Sequence, residues 1–197
     1  MVPSSKSIKC PYTTRLNFMA VVDALIPSSL MTFPSGWTFQ YGALDLSIWK
    51  YLLMSFDNLP TPLSSETSQL LDLSVIYEYK ERYPHIYKGL FSTLSRNDRL
   101  KAITRLENLE VPLDTLPIPY KNNPTLLQIM IDSLYQLTFF GYYSEWYGYA
   151  DTRYNPPSFR HLRTYPVSWA YTGYPGPSFG YRDFRGFLLK MRDLEPE

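Results

Sequence analysis

The sequence predicts an all-α chain: an irregular helical bundle followed by a long, non-regular, aromatic-rich C-terminal arm. Apolar residues recur at helical spacing in segment after segment, each bounded by capping residues or prolines. No strong strand-type alternation occurs, and Val167 to Thr172 is only a weak strand candidate. Nearly half of the chain's aromatic residues crowd into Leu137 to Tyr181, set among glycines and prolines without regular periodicity. With 197 residues, 45% of them hydrophobic, the chain can bury a core of its own. We therefore expect a single domain over 1–197, with a helical core at about 14–141, an arm at 142–182 and a short terminal helix at about 183–194.

Leu16 to Ile26 reads as a short buried helix, with Thr13 or Thr14 as its cap and Pro27 just past its end. Pro34, Gly36 and Trp37 argue against any regular element between Ser28 and Tyr41. A core helix follows, because Leu44, Ile48, Leu52 and Phe56 recur at helical spacing and Trp49 and Leu53 widen the face. The stretch Asn58 to Pro62 breaks it, and Ser64 or Ser65 restarts a helix that runs to about Tyr83, before Pro84.

Ser95 and Asp98 form a capping box that opens the next helix, with Leu100, Ile103 and Leu106 inward and Lys101, Arg105 and Glu107 toward solvent. Pro112, Pro117, Pro119 and Pro124 make Glu110 to Pro124 an extended connector rather than a domain boundary. Pro124 suits a first helical position, with Asn123 as cap. The helix it opens carries Leu126, Leu127, Ile129, Met130, Ile131, Leu134 and Leu137, apolar nearly all round, and is expected to be the central buried helix. Gly141 would close it as a left-handed cap and deliver the arm.

Catalytic constellations are hard to find. His85 and His161 lie far apart, without carboxylate or cysteine neighbours at ligand spacing, and read as exposed or structurally satisfied. Gly173 to Pro177 has prolines where a phosphate cradle needs N–H donors, and no G-x-S-x-G elbow occurs. Cys10 is the single cysteine, which excludes an intrachain disulfide or a cysteine metal cluster. Glu145 and Asp151 are the best carboxylate candidates for a buried polar role. Asp151 either meets a partner's basic group or, the favoured reading, caps its own loop. Asp23 is either an internal hydrogen-bond anchor or on an exposed edge.

The formal net charge is +1 with both signs interspersed, which leaves no electrostatic footprint for nucleic acid or an anionic membrane. Arg153, Arg160, Arg163, Arg182 and Arg185 interleave with the arm's rings, a pattern better explained by packing or interface chemistry than by single-strand binding. No apolar stretch approaches membrane-spanning length, so direct membrane insertion is not expected. Asp23 interrupts the first apolar run, so it does not read as an export signal. The expected location is cytoplasmic, or periplasmic or cell-envelope if the chain is exported with a partner.

Rings with polar tips are typical of buried interface centres. The run Gly141-Tyr142-Tyr143-Ser144, then Tyr147-Gly148, Asp151, Trp169 and Gly173-Tyr174-Pro175-Gly176-Pro177 resembles the small (gamma) subunit of gluconate 2-dehydrogenase. Asp23-Ala24-Leu25-Ile26-Pro27, followed by the step Gly42-Ala43, resembles the same family. The chain departs from the pattern at Tyr149-Ala150, where a Gly-Asn pair is usual in the turn, in the inserted Asn155-Pro156-Pro157, and in lacking a twin-arginine export signal. The resemblance implies a non-catalytic accessory subunit that binds and stabilises a large FAD-dependent dehydrogenase or oxidase of the glucose-methanol-choline type. FAD would sit in the partner and no cofactor in this chain, and a cytochrome subunit is a further conceivable partner. Tyr142, Tyr143, Trp146, Trp169 and Tyr174 would be the anchors, with Arg153 and Arg163 on the rim and Tyr147, Asp151 and Pro175 beside them. Two rival readings use the same rings: a pocket for a carbohydrate or other small ligand, and self-association.

Overall fold

A computed structural model describes residues 11–32, 36, 38–79 and 88–174. Helix α1 (Tyr12–Leu25) packs against α2 (Ile48–Asp57), α3 (Ser64–Tyr79), α4 (Leu90–Thr93), α5 (Arg96–Glu107) and α6 (Pro124–Tyr143). The centre of the bundle is therefore α1 and not α6. Phe18, Val21, Val22 and Ala24 are wholly buried on it, and short alanine and valine side chains let several neighbours approach one helix closely. Its cap also differs from expectation. Pro11 precedes the first turn, no side chain caps it, and Thr14 lies buried inside the helix.

The segment expected to be irregular contains an antiparallel hairpin, β1 (Ser29–Thr32) with β2 (Thr38–Tyr41), in register Ser29 with Tyr41 and Thr32 with Thr38. Four-residue strands are too short for alternation to declare them in a sequence. The hairpin closes on the end of α1, where the Ala43 N–H donates to the Ile26 carbonyl at 2.9 Å. Gly42 is pressed onto that backbone. A Cβ there would stand 2.7 Å from the Pro27 carbonyl carbon and 2.9 Å from the Ile26 oxygen, so only glycine fits without a shift. The Leu25-Ile26-Pro27 exit and the Gly42-Ala43 step are thus one contact.

Residues 43–47 form a turn, and α2 starts at Ile48 rather than near Leu44, after Ser47 in the left-handed region at φ 55°. On α3, Asp72 is a buried polar junction. It accepts N–H groups from Gly89 at 2.7 Å and Phe91 at 3.1 Å, and the amide of Asn17 on α1 at 2.9 Å. Burial raises its pKa above the ordinary carboxylate value, and these donors pull it back only in part. Asp23 pairs with Arg99 of α5 at 2.9 Å, and Arg96 Nε donates to the Ala24 carbonyl. Ser95 caps α5 as the sequence specifies, its Oγ accepting from the Asp98 N–H and lying 2.7 Å from the Asp98 carboxylate.

The proline-rich connector includes a 3-10 turn (Leu113–Thr115) and delivers Tyr120 into the core, where its hydroxyl meets Thr67 Oγ1 at 2.8 Å. Asn123 caps α6 by accepting the Leu126 N–H. That helix buries only one face, through Leu127, Met130, Ile131, Leu134, Thr138, Gly141 and Tyr142.

The arm is more regular than its composition suggests. It holds 3-10 turns at Ala150–Tyr154 and Pro157–Phe159 and a helix, α7 (Val167–Thr172), where the sequence hinted at a strand. Gly173, at φ 66°, closes α7 with the Tyr174 N–H on the Trp169 carbonyl. Pro175, the rest of the arm to 182, the terminal helix expected at about 183–194, Cys10, His85 and the helix end expected near Tyr83 lie outside the described residues. Among the described residues no helix is long and apolar enough to cross a membrane.

Candidate functional site

The Gly141-Tyr142-Tyr143-Ser144 part of the resemblance motif falls at the C-terminal end of α6, and Gly141 and Gly148 serve close packing. Gly141 lies within α6 and is not a left-handed cap. A Cβ on it would stand 2.8 Å from Tyr51 Cδ1 and 3.0 Å from Ile48 Cγ2, so it sets how closely α6 approaches α2. Gly148 carries the chain past the returning arm. Its carbonyl accepts the N–H groups of Arg163 at 2.8 Å and Thr164 at 3.1 Å, and a Cβ would stand 2.8 Å from the Thr164 carbonyl oxygen.

Around this junction the rings sort into two sets. Trp146, only 5% exposed, packs edge-on against Tyr51 at 5.1 Å and Tyr154 at 6.0 Å, with the Arg153 guanidinium 5.1 Å above its ring. Its indole Nε1 is buried without a hydrogen-bond partner, although buried indoles usually have one. Arg153 is itself buried and donates to the Ala150 and Tyr147 carbonyls. Burial lowers its pKa from the usual arginine value, though nearby Tyr154, Tyr147 and Asp151 favour the cation. Tyr142 is buried with its hydroxyl toward the Tyr41 carbonyl at 3.4 Å. Trp169 is enclosed edge-on by Tyr165 at 5.5 Å and Tyr174 at 5.1 Å. Within the chain, then, Tyr142 and Trp146 hold the arm to the bundle, and Arg153 and Trp169 pack within the arm itself.

The second set faces outward. Phe140 is 63% and Tyr143 54% exposed, with Phe139 beside them. With Tyr51, Gln136 and Leu137 these rings line a shallow, mostly apolar groove. Gln136, Phe140 and Tyr143 recur at helical spacing on the face of α6 that the core leaves uncovered, and toward the start of the helix that face turns polar at Asp132 and Ser133. Of the sequence-nominated residues the groove holds only Tyr143. Tyr174 is exposed elsewhere, beside Trp169, and Tyr147 is half-buried against the core. Tyr51, Phe139 and Phe140 went unnominated. For Phe139 and Phe140 the signal was a helix, α6, more apolar than one buried face requires.

Asp151 does not cap its loop. Its side chain is exposed and lies 3.5 Å from Arg163 Nε, while the Thr152 hydroxyl stands 2.7 Å from both the Tyr149 and the His161 carbonyl oxygens and shares its one proton between them. Glu145 is half-buried and His161 exposed. Among the described residues no group of three or more His, Cys, Asp or Glu side chains is placed to hold a metal ion.

Comparison with protein-family models, curated proteins and solved structures found no match to this chain. The resemblance rests on the residues quoted for it.

Proposed function

We propose that this chain is a non-catalytic binding subunit whose α6 groove receives a larger protein. The observation that carries this reading is the outward cluster of Phe139, Phe140 and Tyr143 at the C-terminal end of α6, on a helix whose opposite face is already buried. Exposed rings gathered in one patch mark interaction surfaces, whereas scattered single ones are ordinary. The motif resemblance supports the partner's class, a large FAD-dependent dehydrogenase or oxidase of the glucose-methanol-choline type, with the flavin and the chemistry in the partner.

The test is co-purification of the tagged chain from its native host, with an absorbance scan of the eluate and a parallel purification of the Phe140→Ser/Tyr143→Ser variant. A stoichiometric large partner with a flavin spectrum, lost with the variant, is the expected result. A colourless homodimer dispersed by the same variant would assign the groove to a second copy of the chain. Saturable binding of a sugar by the isolated protein would replace the subunit reading with a ligand-binding one.

A further inference from the structure

Beyond the groove, residues 155–165 form a compact loop tied to the turns before it. Thr152 Oγ1 donates to the His161 carbonyl at 2.7 Å, the Gly148 carbonyl holds the N–H groups of Arg163 and Thr164, and Arg160 Nε donates to the Asn155 carbonyl at 2.8 Å. Leu162 reaches back onto Gly148, where a Cβ would stand 2.9 Å from Leu162 Cδ2. A backbone fixed this way presents its side chains with little further ordering cost on binding.

What it presents is both apolar and cationic. Phe159 is 67% and Tyr165 57% exposed, with Tyr154 and Leu162 less so, and between them stand the exposed side chains of Arg160, His161 and Arg163. From Thr152 to Tyr174 the sequence contains no aspartate or glutamate. Arg160 has no carboxylate partner among the described residues. Among the described residues Arg163 pairs only with Asp151, at 3.5 Å, with both side chains more than half in solvent. Such a pair contributes little and exchanges easily for a better-placed carboxylate. Guanidinium groups take carboxylates in a bidentate fork, and rings beside them accept apolar side chains.

We propose that the 155–165 loop is a second docking surface, for a peptide segment of a protein partner that alternates acidic and apolar residues. Its carboxylates would pair with Arg160 and Arg163, and its apolar side chains would lie on Phe159, Leu162 and Tyr165. Charge complementarity favours this occupant. Nucleic acid and anionic membrane fit less well, because affinity for phosphate-rich surfaces is built from many cationic contacts and the chain's net charge is only +1. The proposal does not depend on which protein fills the α6 groove.

The test is fluorescence anisotropy with the full chain. The probes are a short labelled peptide of alternating glutamate and leucine, the same peptide with glutamine for glutamate, a labelled oligothymidylate, and phosphatidylserine vesicles. The glutamate peptide should bind and weaken with added salt, the glutamine peptide should bind at least roughly tenfold more weakly, and Arg160→Gln/Arg163→Gln should lose about as much while circular dichroism stays unchanged. Phe140→Ser/Tyr143→Ser should leave this binding intact, which separates the loop from the groove. Absent binding of the glutamate peptide, equal binding of the glutamine peptide, indifference to the arginine substitutions, or preferential binding of oligothymidylate or vesicles would each overturn the proposal.

Discussion

Gly141 passes beneath the ring of Tyr51 so closely that a single methyl group would stand 2.8 Å from Cδ1. The contact joins the core to the candidate surface, since Tyr51 also packs on Trp146 inside and lies 5.9 Å from exposed Phe140. Gly141→Ala should gain about 1 kcal/mol of helix propensity and lose roughly 1–3 kcal/mol to overpacking. A net loss in urea unfolding is the expected outcome. Unchanged or increased stability would show that the Tyr51 ring swings aside freely.

Trp146 and Phe140 are both aromatic residues of the same region and should behave oppositely. Trp146→Ala should cost about 3 kcal/mol or more of stability, as large-to-small changes in packed cores do. Phe140→Ser should change stability by no more than about 0.5 kcal/mol while weakening the partner complex roughly tenfold or more. Thermal unfolding and quantitative co-purification measure the two effects. A destabilised Phe140→Ser variant would mean that the ring belongs to the core.

Asp72 ties α3 to α1 and to the start of α4. Asp72→Ala leaves the Gly89 and Phe91 N–H groups short of an acceptor, while the Asn17 amide keeps Ser68, so a loss on the order of 3 kcal/mol is expected. The pH dependence has a definite sign. Burial raises the folded-state pKa above the unfolded one, so the folded state binds more protons between the two values. Stability relative to Asp72→Asn is then greatest below the ordinary carboxylate pKa, falls as pH rises through the folded-state pKa, and is flat beyond it. Denaturation series on both proteins across that range decide the matter, and a relative stability that rises with pH would show that the hydrogen bonds outweigh burial.

Tyr120 is a subtler case. Tyr120→Phe keeps the ring in the core but strands Thr67 Oγ1 without its partner, so a loss of about 1 kcal/mol is expected. Tyr120→Phe/Thr67→Val should recover part of it, because removing both polar groups spares the penalty of burying one alone. Additive losses in the double-mutant cycle would mean that the pair contributes no coupling energy.

The sequence by itself determined the helical class, most helix positions, and the caps at Ser95 and Asn123, because periodicity and capping are local properties carried by residues a turn apart. It also located the aromatic segment and the glycines that matter there. Only the tertiary structure decided which rings face in and which face out. Trp146 and Phe140 are alike in composition and differ in what the fold sets beside them: Tyr51, Tyr154 and Arg153 enclose the first, while the second stands on the uncovered face of α6. The hairpin, the central place of α1 and the Asp72 junction depend likewise on pairings between distant residues. Asn17 and Asp72 are 55 positions apart, and no local pattern records that they meet.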